Sequence, residues 1–319
     1  MEIERGGAWE NVLPEDYLEL SPLLDHYSYD CMVEVGCLRL ENHQDAKIAE
    51  IINEKYNLEC KHCKVSNRKI PDLSYKDIER GLRIFYDKGI RSVFIEGGEP
   101  FLWKEDGRNL DDVIKLARDI GFKVVSIYTN GTFPIRTSAD TVFVSLDGLK
   151  ETNDELRGKI YDKVMNNIKE SSHPSIMINY TINQENHQDI EKFCEEIKGI
   201  RKIKGVFFYF HTPYYSKDKL FLNLKEKRAI IKRIFNLKKK KHKILNSDAC
   251  LKGVYKDKWK RPSKICYVYA DNKLYQCCRA YGNDDVCKNC GYLGYPEIIY
   301  ILKLRPSAIY SALSYLPTN

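Results

Sequence analysis

Tyr56-Asn57-Leu58-Glu59-Cys60-Lys61-His62-Cys63 is the stretch on which the reading of this chain turns. Two thiols three residues apart suit half a metal site, a redox pair or two unrelated cysteines. The stretch is therefore read with its surroundings. Before it, residues 47–52 have strand character. After it, Ser74 to Lys88 sets Ile78, Leu82 and Phe85 at helical spacing, with Ser74 placed to cap the helix and Gly89 to end it. A second strand, Arg91 to Glu96, runs into Gly97-Gly98-Glu99-Pro100. Glycines let a backbone approach a small ligand closely, and the glutamate offers a charge suited to an ammonium. The same tetrapeptide also suits a tight turn with an exposed acid.

The alternation continues down the chain. The sequence predicts a helix over 110–120 closed by Gly121, and strands over 122–129 and 141–146. The link 132–140 between those strands is too short for a full crossover helix. A helix over 153–170, a strand over 175–182, a helix over 188–198, a strand over 205–211 and a helix over 224–237 follow. Six strands alternating with helices imply a parallel sheet. Right-handed crossovers curve such a sheet toward a barrel. Chemistry gathers at the carboxyl ends of barrel strands, and Cys60, Gly98, Glu99, Asn130, Ser145, Asp147, Asn183 and His211 all fall there.

Composition sets outer bounds. With 319 residues there is room for one large α/β domain and a small appendix. Hydrophobic residues make up 43% and charged residues 30%, the profile of a globular chain. A net charge of +7, from 52 basic and 45 acidic residues, does not argue for nucleic acid. The basic run from Lys238 to Lys243 reads as a solvated helix end or, on the sharper reading, an anion site. No apolar stretch is long enough to span a bilayer and no N-terminal signal is visible, so a cytoplasmic protein is expected. Eleven cysteines in that setting point to metal or redox chemistry more than to disulfides.

Six of those cysteines lie between residues 250 and 290: Cys250, Cys266, Cys277, Cys278, Cys287 and Cys290. Residues 265–278 read as a hairpin about an Asp271-Asn272 turn, with thiols at both ends. Such a set suits an iron–sulfur cluster, a zinc ribbon, or reduced or disulfide-paired thiols. Cys194 reads as plain helix core. The tail from Pro296 carries many apolar residues and few charges. It reads either as a helix pair broken at Pro306 and packed on the barrel, or as an interfacial segment at a membrane surface. The aromatic run from Phe207 to Tyr215 could line an apolar pocket or be ordinary core.

The opening stretch resembles the cluster loop of radical S-adenosylmethionine (SAM) enzymes, Cys-Asn-Leu-x-Cys-x-x-Cys, with Tyr56 standing at the first cysteine. Gly97-Gly98-Glu99-Pro100, Thr129-Asn130-Gly131, Ser145-Leu146-Asp147-Gly148 and Glu155-Leu156-Arg157-Gly158 follow in that family's order. The resemblance implies an α/β fold, a partial (β/α)6 TIM-like barrel over 46–240. It would be preceded by an irregular extension over 1–45. A cysteine-rich region of the SPASM or twitch kind over 241–295 and an apolar helical tail over 296–319 would follow.

It also implies SAM, a [4Fe–4S] cluster at the barrel and a second [4Fe–4S] cluster in the C-terminal region. Cys60 and Cys63 would be ligands. His62 would sit beside the adenine. Gly97, Gly98 and Glu99 would hold the methionine amine, and Asn130, Ser145 and Arg157 the ribose and carboxylate. Asp147 and His211 would face the substrate or serve as structural hydrogen-bonders. Cys266, Cys277 or Cys278, Cys287 and Cys290 would hold the second cluster, with Cys250 in reserve. The third iron of the barrel cluster has three readings: Tyr56 as phenolate, a remote Cys31 or Cys37, or a degenerate site. The implied reaction takes a hydrogen from an unactivated C–H bond by way of a 5′-deoxyadenosyl radical. It needs a reducing electron donor, and its substrate would be a lipid, a peptide or another small molecule. The alternative is a metal-stabilised barrel that binds SAM or a partner without cleavage.

Overall fold

The computed structural model describes residues 48–63, 71–214, 217–260 and 262–314. The N-terminal extension with Cys31 and Cys37, the start of the first strand at Lys47, Tyr215 and the chain beyond Ser314 lie outside them.

Strand β1 (Ile48–Ile51) precedes helix α1 (Tyr75–Asp87), and β2 (Ser92–Glu96) precedes α2 (Leu110–Ile120). Ser74 caps α1 by accepting from the Asp77 amide, and Asn109 forms a capping box with Asp112 on α2. β3 (Val124–Thr129) and β4 (Thr141–Ser145) follow without a helix between them. The helix expected over 153–170 is two helices, α3 (Lys150–Arg157) and α4 (Tyr161–Glu170). Gly158 at φ 92 ends the first, and the Asp154 carboxylate accepts from the amides of Ile160 and Tyr161 to start the second. β5 (Ile176–Ile182), α5 (Ile190–Lys198), β6 (Ile203–Phe210) and α6 (Leu224–Lys239) complete the six-strand set.

The parallel strands run in the order β6-β5-β4-β3-β2-β1. Their interior and helix-facing side chains form one core, with Val93, Val125, Val142, Ile178 and Phe208 all at 0% exposure. Burying each such side chain contributes about 2 kcal/mol. All carboxyl ends open on one face, which fixes where a site can form.

Beyond α7 (Asp248–Lys256), the hairpin β7 (Tyr267–Ala270) and β8 (Lys273–Gln276) turns at Asp271 and Asn272, both with positive φ. The small C-terminal extension expected here joins the main sheet: β7 pairs in parallel with β1, and the sheet runs on to eight strands. Short helix α8 (Asp284–Lys288) precedes α9 (Gly294–Leu302) and α10 (Pro306–Leu313), the helix pair broken at Pro306. Ser307 accepts from the Ala249 amide and Ser311 donates to the Leu245 carbonyl, so the pair packs against α7. Cys194 is buried on α5. Among the described residues, no helix is long and apolar enough to cross a membrane.

Candidate active site

The chain leaving β1 lies across the end of β2, and this contact explains both glycines. A Cβ at Gly98 would stand 2.0 Å from the Lys55 carbonyl oxygen, and one at Gly97 would stand 2.2 Å from Asn53 Oδ1. Asn53 Nδ2 donates to the Glu99 carbonyl, and the Glu99 amide donates to the Lys55 carbonyl. The glycines are thus required by the protein's own backbone, whatever ligand also lies against them.

The loop is then tied to its neighbours. Asn57 Nδ2 donates to Thr132 Oγ1 and Asn130 Nδ2 donates to Asn57 Oδ1, each at 2.8 Å. The Lys61 amide donates to the Leu156 carbonyl, and Cys63 turns back onto Cys60 through its amide. Arg157, buried at the end of α3, donates from Nε to Asp147 Oδ2 at 2.6 Å and brings Nη1 to 4.0 Å from Cys60 Sγ. Burial pushes the Cys60 thiol up, and the Arg157 charge opposes it.

These groups open into a cavity of about 650 Å³ at the carboxyl ends of the strands, a size suited to a small ligand. Of the expected residues, Tyr56, Cys60, His62, Cys63, Gly97, Gly98, Asn130, Ser145, Arg157, His211, Cys277, Cys278, Cys287 and Cys290 line it. Glu99, Asp147 and Cys266 do not.

Glu99 is fully buried. Its carboxylate accepts from Thr129 Oγ1, the Asn130 amide and the Phe101 amide, so its oxygens are engaged by protein donors. Burial pushes it up to about 7. Asp147 is also fully buried. It accepts from Arg157 and from the Thr181 amide, and it faces His62 Nε2 at 3.5 Å. It holds Arg157 and His62 in place, whereas the sequence also allowed it a place facing substrate. His211 lines the cavity and is oriented by Asp218, 2.8 Å from its Nε2.

Burial pulls the His62 imidazole down to about 4, so the ring is neutral near pH 7. The tautomer protonated on Nε2 faces Asp147 and leaves Nδ1 as a bare acceptor. Nδ1 is buried without a hydrogen-bond partner, and so is Oδ1 of Asn179. Both residues line the cavity. Two orphaned acceptors beside two thiols fit a ligand with amino and hydroxyl donors, such as an adenosyl group. Asn179 was missed from sequence. Its signal was there: Asn179 and Thr181 are the polar alternates of an otherwise apolar strand, and they are the two half-buried positions of β5.

The C-terminal thiols reach the region differently. Cys266 and Cys277 are buried in an apolar cluster with Tyr295 and Ile298. Cys250 is fully buried and donates its thiol to the Leu293 carbonyl. The nine described cysteines form no disulfide. Among the described residues, no three His, Cys, Asp or Glu side chains stand close enough together to hold a metal ion. Two thiols and a neighbouring guanidinium in the loop suit part of a cluster's ligand set. The loop itself offers no third thiolate.

Comparison with known proteins gives this arrangement a lineage. Residues 57–197 match the model of the radical SAM superfamily. That match covers 141 of the 319 residues, from the cluster loop to α5, and identifies this stretch as a radical SAM domain. It is 29% identical over 224 residues to Fe-coproporphyrin III synthase of Methanosarcina barkeri, covering 64% of this chain and 54% of that one. It is 26% identical over 183 residues to pre-heme d1 synthase of Dinoroseobacter shibae, covering 51% and 42%. The chain thus matches about half the length of these curated relatives. Among solved structures, SuiB of Streptococcus suis bound to S-adenosylmethionine superposes with a TM-score of 0.61 at 18% identity, covering 88% of this chain and 74% of that one. The α/β partial barrel of the TIM-like kind is therefore the fold of this chain, with its clustered cysteines in the C-terminal region.

Proposed function

We propose that the cavity is a SAM site and that the chain is a radical enzyme acting on a C–H bond of a substrate with a large apolar or aromatic face. The observation that carries this reading is the lining of one cavity by Cys60, Cys63, His62 and Asn179, the last two each carrying a buried acceptor without a partner. Cys60 and Cys63 would hold a cluster. Asn130, Ser145, Arg157 and the Glu96–Gly98 edge would surround SAM. When bound, the two groups supply an electron and a cleavable sulfonium bond, the source of a 5′-deoxyadenosyl radical able to take hydrogen.

This chain's residues do the rest. Arg157 offsets negative charge beside Cys60. His62 stays neutral and accepts a hydrogen bond. The Tyr128 and Tyr209 hydroxyls pair at 3.0 Å, on two of seven described tyrosines that line the cavity. Such a lining excludes water and suits a flat or aromatic partner. The names of the similar porphyrin-related synthases favour a conjugated ring substrate. SuiB bound to its precursor peptide SuiA favours a peptide. A reducing electron donor and, in the C-terminal region, a second cluster held by Cys266, Cys277 or Cys278, Cys287 and Cys290 belong to the same reading.

The second reading is a barrel that binds SAM without cleaving it. It is favoured by Tyr56, whose hydroxyl is engaged by Glu54. Anaerobic reconstitution followed by reduction in the presence of SAM separates the two. The first reading expects 5′-deoxyadenosine by mass spectrometry in the wild type and none in Cys60→Ala. SAM that binds and stays intact after reduction would select the second.

A further inference from the structure

The third thiolate of the barrel cluster is the open question, and an answer rests on the radical SAM reading above. Tyr56 stands where the family has its first cysteine. Its hydroxyl donates to Glu54 at 2.8 Å, and the other Glu54 oxygen is ion-paired with Arg279. The Glu54 side chain is 3% exposed and that of Arg279 is 17% exposed. Breaking this link would strand a buried charge. Tyr56 therefore has a structural partner already, and the link leads somewhere.

Arg279 directly follows Cys278. It ties the end of β8 to the segment between β1 and the cluster loop, beside the position of the missing cysteine. Cys278 is hydrogen-bonded to Cys277 and stands next to this tie, while the other cavity thiols have further anchors. Cys277, at φ 65, packs into the apolar cluster with Cys266 and Tyr295. Cys287 and Cys290 precede Gly291, whose amide donates to Thr212 and whose carbonyl accepts from Phe210. That anchors them at β6, the far end of the barrel sheet from β1. Tyr214 lies within electrostatic reach of Cys278, Cys290 and Cys63, so it is the Glu54–Arg279 ion pair that singles out Cys278.

We propose that Cys278 supplies the third thiolate to a cluster held by Cys60 and Cys63, in place of the cysteine for which Tyr56 stands. Loading draws Cys278 toward the loop, since no three described thiols are yet gathered to ligand distance. Each ligand thiol releases its proton to solvent on binding, and no electron is transferred in that step. The Glu54–Arg279 ion pair is the tether that keeps Cys278 at the loop.

The test uses the full chain carrying Cys287→Ser and Cys290→Ser, which removes iron bound on the far wall, reconstituted anaerobically with iron and sulfide. About four irons per chain are expected, with a reduced-cluster electron paramagnetic resonance signal that SAM shifts. Adding Cys278→Ser lowers the iron several-fold and abolishes the SAM-sensitive signal. Adding Tyr56→Phe leaves both in place. Tyr56→Cys restores both in the Cys278→Ser chain, which separates ligand loss from misfolding. A SAM-sensitive signal that survives Cys278→Ser, or that disappears in Tyr56→Phe, overturns the proposal. A wild-type chain that takes up no iron removes the underlying reading, and the proposal with it.

Discussion

The two thiol-bearing segments that meet at the cavity are built by opposite means. The cluster loop is held by polar bonds: Asn57 to Asn130 and Thr132, the Lys61 amide to Leu156, Arg157 to Asp147. The C-terminal segment is held by apolar packing of Cys266, Cys277, Tyr295 and Ile298 and by close backbone approach at Gly291. Polar networks fix geometry but are costly when partly broken. Apolar contacts tolerate adjustment. The loop is therefore set before any metal arrives.

The largest break in this comparison is expected from Arg157→Met. It leaves the fully buried Asp147 without its cation, and urea unfolding should register a loss of about 3–5 kcal/mol. The equivalent change on the other side, Arg279→Met, removes an ion pair with a less buried guanidinium and should cost less. A smaller loss from Arg157→Met than from Arg279→Met would reverse the assignment of the rigid segment.

Glycine substitutions sharpen the contrast next. Gly98→Ala presses a methyl against the Lys55 carbonyl, and Gly291→Ala presses one to 1.8 Å from the Phe210 carbonyl oxygen. Each should cost roughly 3 kcal/mol. The first should lower the barrel's unfolding midpoint. The second should raise hydrogen exchange in residues 277–293 while leaving exchange in the six-strand core near wild type.

The pH profile gives a third handle. Burial lifts Glu99 to about 7 in the folded chain, above the ordinary glutamate value of about 4.5. A raised carboxyl pKa means the folded state holds a proton that the unfolded state has released. That contribution is full below pH 4.5 and is lost as pH rises to about 7, on the order of 3 kcal/mol. Glu99→Gln should flatten this part of the stability curve, and a slope unchanged by the substitution would refute the assignment. Last, Tyr295→Phe removes the hydroxyl that donates to the Cys277 carbonyl. The expected cost is about 1 kcal/mol, with most of the packing retained.

What the sequence disclosed and what it withheld divide along range of interaction. Strands, caps and the Asp271-Asn272 hairpin depend on neighbours within a few residues, and they were legible. The split of 153–170 at Gly158 was a local signal passed over in favour of helical periodicity. Attachment of the hairpin to β1 was not legible, because pairing of Ala49 with Val268 carries no local signature. The same holds for Glu54 and Arg279, 225 residues apart. At the site, Cys60, Cys63 and the glycine pair were legible as an ordered set of motifs, but the inward burial of Glu99 and Asp147 was not. Both acids lie at strand ends, where a carboxylate can face the ligand or bond the adjoining loop, and only the fold decides.

Titration of SAM into the anaerobically reconstituted, reduced chain, followed by electron paramagnetic resonance, tests the central claim most directly. If one cavity holds both groups, part of the wild-type signal shifts on SAM addition, and Cys60→Ser removes that SAM-sensitive part. In Asn179→Ala the signal remains and the shift needs about tenfold more SAM, the loss expected for one hydrogen bond. A signal indifferent to SAM in the wild type, or a SAM-sensitive signal that persists in Cys60→Ser, would contradict the account.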